Sequence, residues 1–170
     1  MLDDLSPLSG GLQRATATTD VALRALAGEA RVDLAGLPPG AAALLLVKAS
    51  KAHAGPMVVV TADTDAMRRT AESLRFFLGE SDAGRTEVLH FPSADTSPFL
   101  DVASDRRATM DRLAALFHMA QGLPWRFLVV SAAALIRKVA PREAITSRSK
   151  WIRTEDELDR DELIRVLADG

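Results

Sequence analysis

The chain has 170 residues, room for one domain and part of another at roughly 100 to 200 residues each, and its 48% hydrophobic and 26% charged side chains exclude a wholly disordered or fibrous polypeptide. With 21 basic and 23 acidic residues the formal charge is −2, so no global field draws it to nucleic acid or an anionic membrane. The absence of cysteine excludes a disulfide framework, a thiolate zinc site and a cysteine nucleophile. The amino terminus, Met1-Leu2-Asp3-Asp4, lacks a signal sequence, and the longest apolar run, Ala41 to Val47, falls far short of the roughly 20 residues that cross a bilayer. Together these predict a cytoplasmic protein with no membrane contact.

Residues 1–30 read as a lead-in that contains a helix capped by Asp20. Arg31 to Ala35 alternates, with Val32 and Leu34 apolar, and predicts a first strand. The turn Gly36-Leu37-Pro38-Pro39-Gly40 follows and opens a helix to about Ala54 that is apolar nearly all round, so it should pack deeply. Met57 to Thr61 is a β-branched run of the kind buried on both faces of a parallel sheet. Asp63 or Asp65 caps the next helix, with Met67, Ala71, Leu74 and Leu78 as its stripe and Gly79 as its stop.

Glu87 to Phe91 predicts a third strand, and Pro92 to Asp101 a proline-punctuated connection. A helix over 103–120 carries Met110, Leu113, Ala114 and Phe117 on one stripe, ending at Gly122 and Pro124. Arg126 to Val130 is a fourth strand, and Ser131 caps a short helix from Ala132 to Lys138. Four strand-then-helix repeats predict an α/β fold, a parallel sheet flanked by helices, over residues 31–142. Past Pro141 the character changes: Lys150 to Arg153 should be a strand and Leu158 to Ala168 a helix, so residues 143–170 read as the beginning of a second, truncated subdomain.

The Gly36 to Gly40 turn has the outline of a phosphate-binding loop without its chemistry. Such a loop needs a lysine for the outer phosphates and a hydroxyl for magnesium, and here Ala41 and Ala42 stand in those places. Pro38 and Pro39 also lack the N–H that would face an anion. Asp63 could be taken for a magnesium carboxylate at a strand end, but Asp-Thr-Asp before a periodic run is the ordinary helix-start signature. His53, His90 and His118 have no metal-motif spacing, and Ser93, Ser97 and Ser104 lack a nucleophile elbow. The basic pairs Arg68-Arg69, Arg106-Arg107 with Arg112, and Arg137-Lys138 read as solvated helix faces; Trp151 suits either an interface or a core. No catalytic, cofactor-binding or metal residue is predicted.

Three segments together resemble the N-terminal region of bacterial transcription-repair coupling factors. The first is Ala35-Gly36-Leu37, an alanine-rich helix, then Pro56 to Asp63 and Glu72 to Leu78. The second is Phe91-Pro92 with Asp95-Thr96 and Pro98-Phe99, followed by Arg112-Leu113 and Leu116. The third is Phe127 to Ser131 through Leu135, Arg137, Val139 and Pro141. Departures are Ala94 for an aromatic, Asp95 for Glu, Phe99 for Tyr, and Val102 to Ser104 for a Ser-Pro pair.

The resemblance implies a degenerate P-loop, helicase-like unit similar to domain 1a of the repair helicase UvrB, followed by the start of a small α+β subdomain. It implies a non-catalytic piece that recruits UvrA, on a surface incomplete here. It places ATP, magnesium, RNA polymerase and DNA in absent motor domains of an ATP-dependent DNA translocase. The residues alone leave two other readings open. One is a small doubly wound enzyme with its crevice near Gly36, Asp63 and Ser131; the other is a nucleic-acid binder using the arginines.

Overall fold

The structure, a computed structural model, describes residues 20, 23, 31–79, 87–93, 105–149, 152, 157 and 159–168. Helix α1 (Pro39–Ala52) leads into strand β1 (Met57–Thr61), helix α2 (Thr64–Leu78), strand β2 (Val88–Phe91) and helix α3 (Arg106–Ala120). Strand β3 (Phe127–Ser131) then runs directly into the single turn α4 (Ala132–Leu135), followed by α5 (Arg142–Ser147) and α6 (Arg160–Ala168). The strands form one parallel sheet in the order β1-β3-β2, with Met57 and Val88 both opposite Phe127. Among the described residues the last strand in sequence is thus the central one.

The period-2 alternation of the strands divides the core into two layers. On one face Met57, Val59, Val88, Phe127 and Val129 meet Ala43 and Val47 of α1 and Met67, Ala71 and Leu74 of α2. On the other, Leu89, Phe91, Leu128 and Val130 meet Ala115 and Leu116 of α3 and Ala134 of α4. Phe127, Met67 and Leu74 have no solvent exposure. Each loses roughly 1.5–3 kcal/mol of unfavourable hydration on burial.

Helix α2 forms as expected. The Asp63 carboxylate accepts from the Ala66 amide at 2.7 Å, and Gly79 at φ 70° closes the C-terminus, a left-handed conformation that a Cβ disfavours. Helix α1 starts instead with Pro39 in the first turn after Pro38, with no side-chain cap.

Several expectations are corrected. Arg31 to Ala35 is not a strand: Arg31 and Asp33 pair with each other at 3.2 Å on one exposed side, and Leu34 is 43% exposed. With no ladder partner, alternation alone does not hold a strand. Three strands, not four, therefore make the sheet among the described residues. Strand β1 is half-buried on one face and exposed on the other, because α3 and α4 cover the β2–β3 side of the second layer and leave Val58 and Val60 more than half exposed.

Helix α3 meets the expected stripe only at Phe117, which is half-buried. Ala108, Ala115 and Ala120 are buried while Met110 and Leu113 face solvent, since small side chains let the helix lie close to the sheet. The helix after β3 ends at Leu135, well before Lys138, and a further helix, α5, buries Ile145 and packs against α3. Helix α6 begins at Arg160 and buries none of its residues; Leu163, Val166 and Leu167 line a groove with Phe117 and Ile152. The bulk of the lead-in, most of the Pro92 to Asp101 connection, Trp151, Ser97 and Ser104 lie outside the described residues.

Candidate functional site

The C-terminal edge of a parallel sheet is where α/β folds usually place ligands. Here that edge is lined by hydroxyls. Thr61, level with Ser131 in the ladder, donates to the carbonyls of Asp63 at 3.1 Å and Val130 at 3.3 Å. Thr64 and the buried Ser93 place their hydroxyl oxygens 3.5 Å apart. Asp63 sits on this edge, but its carboxylate is engaged by the α2 amide.

Ser131 stands at the start of α4 as expected, yet its side chain does not cap the helix. It is fully buried at the strand end, and its hydroxyl has no hydrogen-bond partner among the described residues. The structure therefore brings Asp63 and Ser131 to one edge. No backbone–backbone hydrogen bond among the described residues links the Gly36 to Gly40 turn to them. Gly36 holds φ at 74°, and both Ala41 and Gly40 are exposed.

A cleft of about 410 Å3 opens at the opposite, N-terminal end of the strands, lined by Ser50, His53, Glu87, Trp125 and Arg126 among others. Arg126 is the tie there. Its Nε donates to Glu87 at 3.0 Å and its Nη1 to the Ser50 carbonyl at 3.4 Å, joining the end of α1 to β2.

Arg112 has a comparable structural task on the other layer. Its guanidinium lies 4.1 Å from the centre of the Phe91 ring and donates to the Pro92 carbonyl at 2.8 Å. Burial, and after it the charge of Arg137, holds its pKa below the ordinary arginine value. Of the remaining basic residues, Arg68 reaches Asp105 at 4.0 Å, and Arg106, Arg107 and Lys138 are exposed.

One constellation was not anticipated from sequence. Arg75 on α2, His90 on β2 and Asp111 on α3 form a chain, with Arg75 Nη2 3.1 Å from His90 Nδ1 and His90 Nε2 3.1 Å from Asp111. Separations of 15 and 21 positions carry no local signal; only the position of β2 at the sheet edge, between the two helices, unites them. His118 lines the same cavity and pairs with the Pro124 carbonyl at 3.0 Å. Among the described residues there is no group of three or more His, Asp or Glu that could hold a metal ion, and no helix is long and apolar enough to cross a membrane.

No family model matches the chain, and no solved structure matches it significantly. A transcription-repair-coupling factor from Myxococcus xanthus is 35% identical to it over 139 residues, which is 81% of this chain and 12% of that protein. The chain carries a region related to transcription-repair coupling factors. The three segments by which it resembles those coupling factors meet in the fold: β1 pairs with β3, Phe91 lies opposite Val130 of β3, and Arg112 clasps Phe91 and Pro92. The residues that mark the coupling-factor likeness are thus largely those that assemble the sheet.

Proposed function

We propose that this chain is a non-catalytic, UvrB-like N-terminal region of a transcription-repair coupling factor, acting as a docking piece for UvrA. The similarity over 139 residues carries the reading. The loop supports it: Ala41 and Ala42 offer methyl groups where a phosphate site needs an ammonium and a hydroxyl. Asp63 agrees with it, since its Oδ1 caps the Ala66 amide as an ordinary helix-start residue does. On this reading residues 31–142 form the degenerate nucleotide-site domain, and residues 143–170 begin the subdomain that completes the UvrA surface. The whole protein would be an ATP-dependent translocase that displaces stalled RNA polymerase in the cytoplasm, with ATP, magnesium and DNA handled by other domains.

Two measurements test this. A pull-down with UvrA, using this chain and a version extended by about 50 residues, roughly the smallest domain size, should show capture by the longer form. Failure of both forms to retain UvrA removes the docking role. Titration with ATP and magnesium should give no saturable binding, and micromolar affinity would overturn the loss of nucleotide chemistry.

A further inference from the structure

Strand β2 lies at the edge of the sheet among the described residues. The Glu87 carbonyl accepts from the Arg126 and Phe127 amides, both at 2.9 Å, so the next carbonyl, that of Val88, turns to the outer side. Arg75 Nη2 donates to that carbonyl at 2.9 Å. A guanidinium placed over an edge carbonyl occupies an acceptor that another strand would use. The same Nη2 touches His90 Nδ1, and His90 Nε2 touches Asp111.

Arginine only donates, so His90 Nδ1 must be the bare, accepting nitrogen and Nε2 must carry the proton towards Asp111. A second proton on His90 can go only to Nδ1, where it meets the Arg75 N–H head on. Asp111 gains a stronger partner in that event, while Arg75 is turned out. We propose that Arg75, His90 and Asp111 form a proton-operated latch on the outer edge of β2, shut while His90 is neutral and opened when Nδ1 is protonated. Among the described residues, the charged or titratable groups facing His90 are Arg75 from α2 and Asp111 and His118 from α3, while β3 presents Val129 beside it. His118, on the wall of the same cavity, is held to the Pro124 carbonyl.

The test is nuclear magnetic resonance on the 15N-labelled 170-residue chain at about pH 8 and about pH 5, which bracket ordinary histidine titration. At the higher pH the His90 ring should show the Nε2–H tautomer. On acidification, hydrogen exchange of the Arg75 guanidinium should rise at least roughly tenfold relative to that of Arg126, since opening releases Nη2 from both the Val88 carbonyl and His90. Arg126, tied to Glu87, cancels the intrinsic pH dependence of exchange. His90→Gln should abolish the rise. An Nδ1–H tautomer at pH 8, an unchanged ratio, or a rise that survives in His90→Gln overturns the latch. If His90→Gln does not fold, the tautomer and the ratio in the unsubstituted chain decide.

Discussion

Asp63 and Ser131 each immediately precede a helix that follows a strand, and they behave differently. Asp63 is the second residue of a two-residue turn after β1, and its carboxylate reaches forward to Ala66, whereas Ser131 is the last residue of β3 and its side chain is locked into the buried layer. Asp63→Ala should therefore cost about 1 kcal/mol in a urea unfolding experiment. Gly79→Ala should also destabilise, by about 1 kcal/mol, because φ is positive there although the site has open space for a methyl group. Phe127→Ala removes the largest fully buried side chain and should cost about 3–5 kcal/mol by the same measurement. The caps on α2 were legible in sequence because they are local. The role of Arg112 was not, since nothing near it in sequence announces a ring and a carbonyl 20 residues away.

At the level of elements, α2 and α3 show why periodicity succeeds once and fails once. In α2 the large apolar residues Met67 and Leu74 lie on the stripe that faces the sheet, so spacing and size agree. In α3 the spacing of the large residues selects Met110, Leu113 and Phe117, yet the residues that meet Phe91 and Val130 are the buried Ala115 and the half-buried Leu116. Close packing favours the small residue there, a preference that hydrophobicity does not encode. Leu113→Gln should then change stability by no more than about 0.5 kcal/mol. Ala115→Leu, a gain of apolar bulk, should cost about 1–3 kcal/mol through overpacking. Urea midpoints of the two variants check this, and a reversed order would mean that α3 presents its other face to the sheet.

For the molecule as a whole, the parallel α/β class was readable because β-branched runs alternate with helical ones. The number of strands was not, because Arg31 to Ala35 has the pattern of a strand without a neighbour to pair with. Nor was the edge constellation of Arg75, His90 and Asp111, which exists only once strand order is fixed. That order also governs how the fold comes into being. Among the described residues both outer strands pair with β3 and not with each other, so each of these ladders must wait until residues 127–131 are available. During synthesis the first two strands emerge with nothing to bind, and the chain must hold them apart until the third slides between. Non-local pairing of this kind is slow. A nascent chain halted before residue 127 should thus give helical but sheet-free circular dichroism and unprotected amides from 57 to 61, making the final insertion the moment at which this domain acquires its shape.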